Sequence, residues 1–228
     1  MRTITLIYDG TFNTYRWLKA VMWARNEFHD LGYKIKYASI FDYVPYPKST
    51  KVPYEGIKLK WDTIGRFDIV FLAFHHSQSL IGQNTEKRIA LVKSLKQKCK
   101  LLCWLDTADS TGTCLFDVLP YVDLYFKKQL LKDTNLYTNE FYCARLYSDY
   151  YHQKLGLTDE SLASIHYHTA LKEYLHKLRV SWNVAFYDRM GGKTWIYKHP
   201  FKFADPNVIE TGLLMFITEG QTQKCMAM

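Results

Sequence analysis

The chain lacks the glycine fingerprints that cradle phosphates: neither G-x-G-x-x-G nor G-x-x-x-x-G-K-[ST] occurs. A pyrophosphate site at its first turn is therefore unsupported. G-x-S-x-G is missing too, which removes the nucleophile-elbow route to a hydrolase triad. The five cysteines (Cys99, Cys103, Cys114, Cys143 and Cys225) form no C-x-x-C pair, and no zinc-finger spacing is present. Reduced thiols in a cytoplasmic protein fit that odd number. His152, His166, His168 and His176 have no standard metal spacing, and no metal or other cofactor is expected. The first residues enter a short strand pattern broken by Asp9, so no signal peptide is expected. No apolar run approaches the length that spans a bilayer. The expected place is the cytoplasm, with peripheral contact at the inner face of the membrane left open.

What the chain has in quantity is aromatic and basic. Aromatics make up 16% of the 228 residues, with 18 tyrosines and 6 tryptophans. Tyrosine joins apolar area to a hydroxyl that wants a partner, which suits polar clefts and interfaces. Hydrophobic residues reach 48%, enough for a core. The net charge of +8 favours anionic partners. The densest basic group (Lys93, Lys96, Lys98 and Lys100) falls around a surface helix and reads as a solvated face. No RNP-like motif appears, so nucleic acid is disfavoured as a partner.

Three apolar runs end in polar residues. Ile4–Tyr8 runs into Asp9-Gly10; Asp68–Phe74 into His75-His76-Ser77-Gln78; Leu101–Leu105 into Asp106-Thr107-Ala108-Asp109-Ser110-Thr111-Gly112. Each reads as a buried strand that carries polar groups to its carboxyl end, the edge where open α/β sheets bind ligands. Between the first runs, Trp17, Ala20, Val21, Ala24, Phe28 and Leu31 predict one amphipathic helix capped by Thr11 or Asn13 and ended by Gly32. Residues 33–40 alternate as a strand. Pro45, Pro47 and Pro53 make 42–56 a loop. A helix over 84–98 opens at Asn84, strands follow at 100–105 and 122–126, and Lys127-Lys128-Gln129 enters a helical turn. The fold class is α/β: a Rossmann-like, mostly parallel sheet over 1–135 with flanking helices. A helical and irregular extension follows over 136–228, read as the start of a missing or truncated second domain. It contains a Tyr-rich irregular stretch from Tyr137 to Leu155. Leu162, Ile165, Leu171, Leu175 and Leu178 predict a further amphipathic helix.

The strand ends supply the candidate site. His75 or His76 can serve as a base or bind phosphate, and because adjacent side chains on extended backbone point oppositely, one of the two faces a cleft. Asp106 and Asp109 can take a cation, act as a base or hydrogen-bond sugar hydroxyls. Equally, Asp109 or Ser110 caps the next turn while Asp106 steadies the loop. Asp9 caps or touches an acceptor. Lys127 and Lys128 can neutralise phosphate or simply end an exposed strand.

Taken together, Asp106–Gly112, Val118–Lys128, Asp149-Tyr150-Tyr151-His152 and Lys177–Asn183 resemble bacterial polysaccharide-biosynthesis proteins of the GT-B-like glycosyltransferase kind. The resemblance implies two Rossmann-like domains facing across a cleft, the N-terminal one holding the acceptor and the C-terminal one the nucleotide-sugar. It implies a base for the acceptor hydroxyl and stabilisation of the departing diphosphate by basic side chains and a helix N-terminus. His75, His76 and Asp106 are then the catalytic candidates. Asp9, Asp109, Ser110, Thr111, Lys127 and Lys128 are the substrate-binding ones. After residue 183 about 45 residues remain, against roughly 30 for a single βαβ unit. The chain is therefore expected to be an acceptor-side half, completed by a second polypeptide, or a shortened enzyme. The rival reading is a catalytically silent module that binds an acceptor or partner. A flavodoxin-like regulator ranks third, since no phosphate-binding Ser/Thr/Gly loop follows the first strand.

Overall fold

A computed structural model describes residues 1–40, 57–58, 65–77, 79–108, 111–158 and 169–182, all within the compact unit Met1–Asn183. The expected proline loop at 42–56 lies outside the described residues, as do Leu162 and Ile165.

Seven parallel strands form one sheet in the order β3-β2-β1-β4-β5-β6-β7. They are β1 (Arg2–Tyr8), β2 (Tyr33–Ser39), β3 (Ile57–Lys58), β4 (Phe67–Phe74), β5 (Cys99–Asp106), β6 (Leu124–Lys127) and β7 (Leu178–Val180). The chain starts in the middle, winds outward through β2 to β3, then returns beside β1 to build the other half. That reversal between β1 and β4 is a topological switch point, where loops at the carboxyl ends part and leave a crevice. The α/β, Rossmann-like class expected from the sequence is what the sheet shows. Val70–Phe74 and Leu102–Leu105 are buried throughout, as parallel strands covered on both faces must be. One face carries the main core, in which Phe74 and Trp104 stack at 5.9 Å and are joined by Ile81 of α3 (Leu80–Gln83) and by Leu91, Val92 and Leu95 of α4 (Thr85–Lys96).

Several local expectations need correction. The first helix breaks into α1 (Phe12–Trp23) and α2 (Arg25–Asp30), with Ala24 at ψ 15° between them. Gly32, at φ 84°, turns the chain into β2, a left-handed conformation that glycine adopts without a Cβ clash. Lys127 does not enter a helical turn; it is the last residue of β6, and its carbonyl accepts from Ser181 N at 2.8 Å. Leu171, Leu175 and Leu178 do not share an α-helix: Lys172–Lys177 is a 3-10 turn and Leu178 opens β7. Because β7 pairs with β6, the sheet runs past residue 135, where the sequence suggested a boundary. The Tyr-rich stretch is ordered as 3-10 turns at Thr134–Thr138 and Tyr142–Ala144, followed by helix α5 (Leu146–Leu155). Beyond β7, Trp182 Nε1 donates to Trp17 O at 2.7 Å, tying the last strand's exit to α1.

Candidate functional site

Strand register lines up the polar ends. Tyr8 pairs with Ala73, Phe74 with Asp106, and Asp106 with Lys127. By that register Asp9 falls level with Phe74, one residue short of His75, and His75 falls level with Thr107, so the three gather at the carboxyl ends of β1, β4 and β5.

Asp9 is fully buried at the switch point. Its Oδ2 accepts from His75 N at 2.6 Å and from Thr14 Oγ1 at 3.2 Å, while Oδ1 accepts from Thr11 N at 2.8 Å. Thr11 is the N-cap of α1, taking Thr14 N on its hydroxyl. One carboxylate thus joins the end of β1, the start of α1 and the end of β4. Burial raises its pKa above the ordinary 3.8, against the opposing pull of these hydrogen bonds. The acceptor contact expected of Asp9 is not made by a carboxylate turned inward in this way; its work is to hold the rim.

What it holds is His75. The half-buried imidazole has Nε2 3.5 Å from Asn13 Nδ2, and Nδ1 3.3 Å from both Ser77 N and Ser77 Oγ. With the proton on Nδ1, the ring donates to Ser77 Oγ and accepts from Asn13. With the proton on Nε2, it accepts from Ser77 N. Asn13 and Ser77 thus border the ring on its two nitrogen sides. His76 does not point away as extended backbone would require: β4 ends at Phe74, His76 begins a turn, and the two rings stack at 4.7 Å. Thr107 stands next in the row. Its Oγ1 is buried and has no hydrogen-bond partner among the described residues.

A second layer fixes this loop. Arg88, 2% exposed, clamps Asp117 through Nε and Nη2 and donates from Nη1 to Ile81 O and Gly82 O at 3.0 and 2.6 Å. Gly82 lies so near the rim that a Cβ there would stand 2.0 Å from His75 O. Asn13, Ser77, Gly82, Arg88 and Thr107 were not picked out as functional in the sequence. Their offset from the strand ends was the available signal for Asn13, Ser77 and Thr107; Gly82 and Arg88 carried none.

Asp106 and Lys127 require a different reading from the one the sequence suggested. Both are buried, at 1% and 0% exposure. Asp106 Oδ2 accepts from Lys127 Nζ at 3.2 Å and from the Tyr125 hydroxyl, and its Oδ1 accepts from Ala108 N at 2.8 Å. Lys127 Nζ also donates to Ala108 O and Thr113 O at 3.3 and 2.7 Å, which uses all three of its donor positions. Burial beside Asp106 holds the Tyr125 phenol far above its usual range, so it stays a donor. An ammonium and a carboxylate so committed brace the loop after β5; neither is presented to a substrate. Thr111 contributes its carbonyl, which accepts from Tyr137 OH at 3.0 Å. Lys128 is half-buried just past β6, and Asp109 and Ser110 lie outside the described residues.

Among the described residues no three His, Cys, Asp or Glu side chains gather closely enough to hold a metal ion. Nor is any helix there long and apolar enough to cross a membrane. No disulfide forms among Cys99, Cys103, Cys114 and Cys143. Desolvation raises the Cys99 thiol to about 11 and the Cys103 and Cys114 thiols further, so these sulfurs stay protonated and unreactive.

No family model matches the chain, and no curated protein matches it. Solved structures of homoserine dehydrogenase from S. aureus, at pH 6.0 and pH 7.0, are similar over 46% and 54% of this chain. Both are 13% identical, with TM-scores of 0.32 and 0.36. The match spans 26% and 29% of the dehydrogenase chain, and likeness of that extent carries no reading of chemistry.

Proposed function

We propose that this protein serves the acceptor side of a GT-B-like glycosyl transfer in surface-polysaccharide assembly, using the crevice between the β1 and β4 loops. The observation that carries the reading is His75 at the switch point, partnered on both ring nitrogens and held by buried Asp9. The sequence resemblance around Asp106–Gly112 and Val118–Lys128 supplies the reaction class. In this reading His75, with His76 stacked on it, takes the proton of an acceptor hydroxyl. The hydroxyl oxygen then bonds to the anomeric carbon, and the nucleoside diphosphate departs with the electrons of the broken bond. Ser77 and Asn13 would hydrogen-bond neighbouring sugar hydroxyls, and Lys128 is the remaining phosphate candidate. The acceptor is a glycan or a lipid-linked sugar.

The test is release of nucleoside diphosphate when the purified chain meets nucleotide-sugars and oligosaccharide acceptors. Loss of a general base at His75→Ala is expected to lower turnover by about 10²–10⁴-fold. Turnover unchanged in that variant overturns the role of His75. One specific observation favours a silent binding module: both buried carboxylates, Asp9 and Asp106, are consumed by internal hydrogen bonds. Titration with nucleoside diphosphates and their sugars separates the two readings. Donor binding with turnover by this polypeptide alone rejects the module; acceptor binding without either favours it.

A further inference from the structure

Helix α5 breaks a rule that the other α-helices among the described residues obey. A surface helix normally buries one stripe, yet α5 has no buried residue. Eleven large apolar side chains are exposed among the described residues, and six of them fall within positions 146–157: Leu146, Tyr147, Tyr150, Tyr151, Leu155 and Leu157. At 3.6 residues per turn, Leu146, Tyr150 and Lys154 form one ridge and Tyr147, Tyr151 and Leu155 the ridge beside it. The opposite side is where the helix attaches. There Asp149 accepts from Tyr142 N at 3.0 Å, and His152 stacks on Tyr142 at 4.0 Å.

The charges divide between those two sides. Asp149, the acid of this helix, lies on the attached side and also accepts from Gln153 Nε2. On the outward side stands the exposed Lys154, and at its edge the Arg145 guanidinium lies 5.8 Å from the Tyr147 ring. Among the described residues the outward face therefore offers aliphatic groups, amphipathic phenol rings and cations, with the Gln153 carboxamide at its border held by Asp149.

We infer that this face of α5 is a peripheral contact for an anionic lipid bilayer. Leucines enter the acyl boundary, tyrosine rings sit at headgroup depth with hydroxyls toward water, and a lysine stem reaches lipid phosphate. The net charge of +8 adds long-range attraction to the same surface. A glycan would call for amides or carboxylates between the rings, and a second copy would bring its own Lys154 and Arg145 against these. The helix is ten residues long, so the contact is reversible rather than an anchor.

The experiment is sedimentation of the full chain with vesicles of phosphatidylcholine alone and with phosphatidylglycerol added. It needs no sugar transfer, so it stands or falls apart from the transferase reading. Binding is expected only with the anionic vesicles and is expected to weaken with salt. The triple variant Y150S/Y151S/L155S changes exposed residues only; it is expected to keep the wild-type circular dichroism and to lose at least about tenfold in partitioning. Lys154→Glu is expected to lose less and to flatten the salt dependence. Three results overturn the inference: no binding to anionic vesicles, equal binding by the triple variant, or a concentration-dependent dimer that the triple variant abolishes.

Discussion

Asp9 and Asp106 close strands of the same sheet with only β4 between them, both out of contact with water, yet their charges are met in different ways. Asp106 accepts from an ammonium whose other hydrogens go to two carbonyls of the same loop. Asp9 accepts from the amides of Thr11 and His75 and from a threonine hydroxyl. The first arrangement is closed and braces the β5–β6 side. The second delegates neutralisation to the loops themselves, so the carboxylate sets where Asn13 and His75 stand. A buried acid at a strand end thus marks two kinds of site, and what separates them is whether the partners complete each other or belong to a rim that still faces outward.

The contrast can be broken hardest at Lys127. Lys127→Met leaves Asp106 buried without its cation and is expected to cost about 3–5 kcal/mol, read from urea unfolding midpoints. Adding Asp106→Asn to it is expected to recover part of that loss, because the stranded charge is gone. A double variant as unstable as the single would show that the pair's electrostatics matter less than its geometry.

The rim is expected to respond less in stability. Gly82→Ala forces a methyl against His75 O and should cost about 1–3 kcal/mol by overpacking, with the proposed transfer falling alongside. Asp9→Asn offers one oxygen where three donors converge and turns an amide hydrogen toward one of them. A loss of about 1–3 kcal/mol is expected. That variant also carries a pH signature. Burial raises the Asp9 pKa above 3.8, so the folded state binds its proton more tightly than the unfolded chain does. Acidification through the raised value toward 3.8 therefore adds stability to the wild type and nothing at this position to D9N. The gap between the two should widen as pH falls across that window; midpoints measured at stepped pH check it, and a narrowing gap contradicts the assignment.

His75→Gln gives the smallest expected effect on folding, within about 0.5 kcal/mol for a half-exposed side chain, together with a large loss of proposed activity. A large loss of stability there would make His75 a packing residue and erase the distinction between the two clusters.

Strands β1, β2, β4 and β5 were legible because each is a run of apolar or alternating residues bounded by turn chemistry, and burial on a sheet imposes that local signature. The polar residues at their ends were legible for the same reason. β7 was not: Leu178-Arg179-Val180 is too short to show a period, and it becomes a strand by pairing with β6. The break at Ala24 was hidden because the apolar stripe of α1 and α2 continues across it. His76 was misjudged from the assumption that extended backbone persists one residue beyond β4. Arg88 carried no signal in its own segment, and its burial follows from Asp117, which stands 29 positions away.

By itself the sequence determined that apolar strands would stop at polar residues, since both the apolar runs and their ends are written in consecutive letters. Which of those residues would look outward was decided by tertiary structure. Lys127 reaches Asp106 because the β5–β6 register sets the two side by side across 21 positions, and His75 is held by an aspartate 66 positions before it. Such pairings follow from strand order and register, which are properties of the assembled sheet and of no single segment.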